Sequence, residues 1–167
     1  MSPDDFARSS AALHRMTVDF VRVVPDDRWM FSPASPGSAR PPADGRIGRG
    51  FAPFAKQLRH VICARGVYNA ALATGAVDWS RRHEHYRGPL TRDALLEGLE
   101  QQQAVLLTTL ETVDPDGTWD WSGTPFSLGL VAAEFVQHEA IHHGQWSVYA
   151  ELGGFETPIS WRSSWGL

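Results

Sequence analysis

A single cysteine, Cys63, is too few for a disulfide framework or a Cys-rich zinc site. It stands in an apolar stretch, so its thiol reads as a small packed side chain. No run approaches the roughly 20 apolar residues of a membrane span. The charged N-terminal stretch, residues 1–15, has no secretory hydrophobic region. The chain therefore reads as cytoplasmic and mature as written, with no membrane partner. A basic excess is also missing: 15 Lys and Arg stand against 19 Asp and Glu, a net charge of −4. Sequence-independent phosphate contacts need a positive surface, so nucleic acid is not expected as a partner. No internal repeat is visible.

What is present suits one domain over residues 1–167. With 43% hydrophobic and 20% charged residues, the chain can bury a core without a disulfide or metal staple. Seven Trp is a high count, and Trp29, Trp79 and Trp121 fall near predicted element ends, where they would cover the core.

The pattern predicts an all-α, four-helix bundle. Helix one opens at Ser2-Pro3-Asp4-Asp5, with a cap, an N1 proline and acids at the positive helix end. Phe6, Ser10, Leu13, Thr17, Phe20 and Val24 share one face, and Pro25 ends the helix. Residues 31–50 hold four prolines and four glycines and read as a long Pro/Gly-rich loop between helices one and two, disordered at its centre. Helix two, about 51–73, is nearly apolar all round and so buried on several sides; Gly75 ends it. A polar loop, 79–89, carries His83 and His85 among arginines. Thr91 caps helix three, whose inner stripe is Leu95, Leu99, Gln102, Leu106, Thr109 and Val113. Trp119-Asp120-Trp121 alternates but is too short to argue for a sheet. Helix four starts near Thr124-Pro125 or Ser127 and ends at Gly153-Gly154.

The chemistry lies on helix four. Its inner stripe is read as Val131, Phe135, His138, His142, Gln145, Tyr149 and Leu152. Residues four apart sit one above the other, so His138 and His142 can reach one metal ion. A third ligand must come from elsewhere, and His14, His60, His83, His85 and His143 are available. His60 is the best, because an unpaired polar ring inside apolar helix two would be costly. His14 is one position off the inner face, and His143 points about 100° from His142, towards a helix contact or the surface. His138-Glu139-Ala140-Ile141-His142 also matches the zinc-protease pattern H-E-x-x-H, with Glu139 as general base. The longer form of that pattern needs a histidine where Val148 stands, and nothing upstream of the motif reads as a sheet.

The run His138-Glu139-Ala140-Ile141-His142-His143-Gly144-Gln145 resembles the end-helix motif of the DinB/YfiT-like metalloenzyme superfamily. Helix order, the Trp29 region, His60 in helix two and Gly153 after helix four extend the likeness along nearly the whole chain. His143 departs from the basic residue common before Gly-Gln, and loop 31–50 is longer than usual. The resemblance implies a four-helix bundle with one divalent metal ion on His60, His138 and His142; three-imidazole coordination with open positions suits zinc or nickel first, iron or copper next. It further implies transfer of a low-molecular-weight bacterial thiol to a small electrophile, those two molecules being the partners. A homodimer is a further expectation, for which exposed Trp161 and Trp165 would serve unless they fold back over the bundle.

Three neutral imidazoles leave such an ion open positions, where a bound water or thiol would be acidified. A metal-dependent hydrolase therefore stands as an alternative, and so does a bundle merely stapled by metal. Glu134, Gln145 and Gln57 are candidates to hold the second ring nitrogens of the ligands, and Gln102 could face the cavity. Tyr149 could offer a hydroxyl to substrate. No residue is singled out as the catalytic acid or base.

Overall fold

The computed structural model describes residues 1–33 and 52–165. Most of the expected 31–50 loop therefore lies outside the described residues. Four long helices form a bundle: α1 (Pro3–Val23), α2 (Phe54–Thr74), α3 (Arg92–Leu110) and α4 (Leu128–Gly153). Helices α1 and α2 each pack against both α3 and α4. None of the described helices is long and apolar enough to cross a membrane.

Local signals set the helix ends. Ser2 and Asp5 form a reciprocal capping box on α1. The expected face of α1 is the buried one, from Phe6 through Ser10, Leu13, Thr17 and Phe20 to Val24. Helix α2 buries 15 of its 21 residues, which accounts for its lack of a polar face. Gly75 ends it with φ 85°. In α4 Ser127 accepts from the Leu130 amide, and Gly154 ends the helix with φ 71°.

Two elements differ from the sequence expectation. Residues 118–127 form a two-stranded antiparallel hairpin, β1 (Thr118–Trp121) and β2 (Thr124–Ser127). Its turn holds Ser122 at φ 52° and Gly123 at φ 87°, the positive pair that suits the strand twist. The hairpin also docks on the end of α2: the Asp120 amide donates to Gly75 O at 2.8 Å, and Val77 N–H to Asp120 O at 2.9 Å. Strands this short need that support. The second difference is a fifth helix, α5 (Ile159–Trp165), which folds back over α1. Of the two tryptophans read as either exposed or folded back, Trp161 folds back: it is 1% exposed, stacks on Phe20 at 4.7 Å and donates its indole N–H to Met16 O at 2.8 Å. Trp165 remains 47% exposed.

The core has two apolar clusters. One gathers Phe20, Phe54, Leu58, Trp146 and Trp161; the other gathers Phe6, Tyr68, Leu106, Trp119 and Phe135. Along α4 a polar band, residues 138–143, separates them. Cys63 is buried in the wall of α2, as its apolar neighbours suggest.

Candidate metal centre

Three imidazoles meet in that band, His60 from α2 and His138 and His142 from successive turns of α4. Their ring centroids lie 5.1 Å (His60–His138), 5.2 Å (His60–His142) and 4.9 Å (His138–His142) apart, edge to face. One ring nitrogen from each falls within 4.8 Å of the others, and Nε2 of His60 is 3.1 Å from Nε2 of His138. Among the described residues this is the one cluster of His, Cys, Asp or Glu able to hold a metal ion.

Electrostatics keep these rings neutral. Burial, then the neighbouring His142 and His60, push His138 down to about 4. Burial and His60 do the same to His142, also to about 4. His60 is lowered by burial and then by Arg82 and His83. At neutral pH each ring therefore offers a lone pair. Nδ1 of His142 is buried without a hydrogen-bond partner. Facing Nε2 atoms, an orphaned ring nitrogen and an all-imidazole donor set suit a divalent ion of the zinc–nickel–copper–iron group.

The seam of α4 is shifted from the expected stripe. Val131, Phe135 and Tyr149 are buried as expected, but Leu152 is 59% exposed, and Glu139, His143 and Trp146 are buried instead. A stripe repeating every 3.5 residues drifts round a helix of 3.6 residues per turn, and α4 is 26 residues long. The two ligand candidates thus flank the seam, and Glu139 and His143 fill it.

Glu139, the glutamate of the H-E-x-x-H pattern, is 1% exposed and turned away from the imidazole cluster into an ion pair. Arg65 donates Nε–H to Oε2 at 3.0 Å and Nη2–H to Oε1 at 2.5 Å, and the Thr17 hydroxyl also donates to Oε1. Burial alone would raise this carboxyl, but the Arg65 guanidinium outweighs it and holds the group down at about 2. Because Thr17 gives its proton to Glu139, the 2.7 Å contact from His143 Nε2 makes the His143 ring the donor to Thr17 Oγ1. Arg65 also meets His14 Nδ1 at 2.9 Å, and His14 Nε2 lies 3.2 Å from Glu100. His14 and His143 thus belong to this ion-pair network and not to the imidazole cluster. His83 and His85 also stand outside that cluster.

The supporting residues divide differently from expectation. Gln57 makes no hydrogen bond to His60 among the described residues: its carbonyl accepts the Trp146 indole N–H at 3.0 Å, and its amide donates to Tyr149 Oη at 2.5 Å. Tyr149 in turn donates to Ala52 O at 2.6 Å, so its hydroxyl is structural. Gln102 accepts from Asn69 at 3.0 Å between α2 and α3. Gln145 lies beside His142 and favours its protonated form, while Nδ1 of His142 has no hydrogen-bond partner among the described residues. Glu134 makes no hydrogen bond to His138 among the described residues; its charge acts on Tyr68.

Sequence reasoning missed two groups. One is Arg65 with Thr17; an arginine inside a nearly apolar helix was the available signal. The other is an aromatic wall. The rings of Tyr68 and Trp79 lie 6.3 and 6.2 Å from His138, and Trp121 lies 5.7 Å from Tyr68 and 6.3 Å from Trp79. Surface hollows of about 470 Å³ beside Val67, Asp78 and Arg81, and of about 540 Å³ between Leu72, Thr112 and Trp119, include none of the three imidazoles. The chemistry rests on the donor set.

Comparison with known proteins agrees with this arrangement. No match was found among curated proteins. A crystal structure of a DinB-like protein, YjoA of Bacillus subtilis, superposes with a TM-score of 0.64 at 16% identity, covering 93% of this chain and 97% of that one, and so shares the fold. The family model of the DinB superfamily matches residues 6–146, nearly all of the bundle and all three clustered histidines, and the chain belongs to that superfamily.

Proposed function

We propose that the protein is a metal-dependent enzyme that transfers a low-molecular-weight thiol to a small electrophile. The carrying observation is the convergence of His60, His138 and His142 as neutral donors, with no fourth protein ligand in their group among the described residues. Such a set leaves room for an exogenous ligand, unlike a closed structural site. A divalent ion there, zinc or nickel first, supplies Lewis acidity that lowers the pKa of a bound thiol or water.

The chain's own residues then do three things. The three imidazoles orient the reacting group. The Arg65–Glu139 pair fixes α4 against α2, so that His60 keeps its distance from the other two. Tyr68, Trp79 and Trp121 screen one side of the site from water. Glu139 is held as a buried carboxylate by Arg65, so it is not free to take a proton from water as a protease base would. That favours thiol transfer over hydrolysis, because a thiol near pKa 8.5 loses its proton far more readily than water. In the transfer, sulfur bonds to the electrophilic carbon, the thiol proton passes to solvent, and the displaced electron pair leaves with the leaving group.

The test is a screen of metal-loaded protein with small thiols and 1-chloro-2,4-dinitrobenzene, read as thioether formation. Thiol-dependent turnover that disappears in His138→Ala is the expected result. Ester or amide hydrolysis that needs no thiol, in place of thioether formation, would overturn the reading.

A further inference from the structure

The geometry points to Tyr68 as the hydrogen-bond donor to the ligand held at the three-histidine site, with Trp79 lying against the ligand's apolar part. The inference rests on the metal reading above and assigns a substrate class to that site: a small molecule with a carbonyl-type oxygen next to a flat apolar group.

Tyr68 stands on α2 eight residues beyond His60, about 12 Å along the helix and about 80° round it. It therefore lies towards the hairpin end of the site, where α4 presents Phe135 and His138. Its ring is packed by Phe135 at 5.5 Å, Trp79 at 5.7 Å, Trp121 at 5.7 Å and His138 at 6.3 Å. The residue is 2% exposed, and its hydroxyl makes no hydrogen bond among the described residues. That oxygen is not among the sealed polar atoms without a partner, so the little exposure Tyr68 keeps includes it. A phenol this buried, with its one polar atom unpaired by protein and still reachable, keeps a hydrogen-bonding position open to a ligand.

The contrast with Tyr149 is informative. Both tyrosines are buried on the bundle's inner side, but Tyr149 is committed to Ala52 and Gln57. Tyr68 is committed to nothing of that kind, and it lies next to a ligand candidate. Trp79, half-buried, adds a flat apolar surface 6.2 Å from the His138 ring. An aromatic face with one uncommitted polar group beside it is a common recipe for a small-molecule site.

The experiment uses the full chain loaded with cobalt(II), followed by its visible absorption, and titrated with acetohydroxamate and benzohydroxamate. Both probes carry the same metal-seeking oxygens, and only one carries a ring. Wild type is expected to bind benzohydroxamate about tenfold more tightly, from the extra apolar area. Tyr68→Phe keeps the ring packing and should weaken both probes about three- to tenfold, the effect of one hydrogen bond. Trp79→Leu should erase most of the preference for benzohydroxamate and leave acetohydroxamate unchanged. Equal wild-type affinities for the two probes, or a Tyr68→Phe protein that binds both as wild type does, would overturn the assignment. A Tyr68→Phe protein that loses the cobalt spectrum would also overturn it, by showing a structural role. Failure of the wild-type chain to take up cobalt, seen before any probe is added, would instead remove the metal reading and this inference with it.

Discussion

Replacing Arg65 with Met removes one half of a fully buried ion pair and leaves the other half in place. The two charged groups are 3% and 2% exposed, with Nη2 to Oε1 at 2.5 Å and Nε to Oε2 at 3.0 Å. After Arg65→Met, Glu139 would keep only the Thr17 hydroxyl and His143, whose Nε2 lies 3.9 Å from Oε1. Breaking a buried pair from one side costs about 3–5 kcal/mol, a large share of a small domain's stability. The position of the carboxyl gives a similar figure. Held at about 2 against an ordinary 4.5, Glu139 contributes about 3 kcal/mol of stability. Because the folded value is the lower one, that stability is present above pH 4.5 and is lost as pH falls towards 2. Once Arg65 is gone, burial dominates and the carboxyl rises, so acid neutralises it and removes the penalty. Urea unfolding at pH 7 should therefore show Arg65→Met destabilised by about 3–5 kcal/mol, and at pH 4 by clearly less. The double variant Arg65→Met/Glu139→Gln should recover much of the pH 7 loss. A pH 7 loss under about 1 kcal/mol, the size of an exposed pair, would refute the reasoning, as would a loss that does not shrink in acid.

Acid should also empty the metal centre. His138 and His142 are held near 4 and His60 below its ordinary value, so bound metal should persist well below pH 6.5 and leave as pH approaches 4, followed by equilibrium dialysis. Without metal, the same depressed histidines contribute stability that is complete above pH 6.5 and falls away towards 4, visible in thermal melts of chelated protein. Trp161→Ala removes a fully buried indole stacked on Phe20 and hydrogen-bonded to Met16. It should cost about 3–5 kcal/mol in urea unfolding, whereas Trp165→Ala, half-exposed at the helix end, should cost little.

Much of the bundle was legible because its signals are local. Ser2, Pro3 and Asp5 announce α1, and one helical face carries Phe6 through Val24. His138 and His142 are conspicuous because i,i+4 histidines share a face whatever the tertiary context, and His60 because it interrupts an apolar helix. What escaped depends on distant partners. The short hairpin of Thr118–Trp121 with Thr124–Ser127 is held in place because Asp120 bonds to Gly75 and Val77, some 40 residues away in sequence. Trp161 is buried because Phe20 and Met16 receive it. Arg65 and Glu139 carry no periodic signature, and their pairing emerges only when α2 meets α4. Gln57 stands in the expected relation to His60 along the helix, yet Trp146 and Tyr149 compete for its amide and win. The 31–50 loop stays largely outside the described residues.

The most direct measurement is elemental analysis of the purified chain beside its single histidine variants. One divalent ion per wild-type chain, lost in His60→Ala, His138→Ala and His142→Ala and kept in His14→Ala, is the predicted result. A wild-type chain that binds no metal when supplied with zinc or nickel, or a His60→Ala chain that keeps its full complement while His14→Ala loses it, would contradict the three-histidine centre.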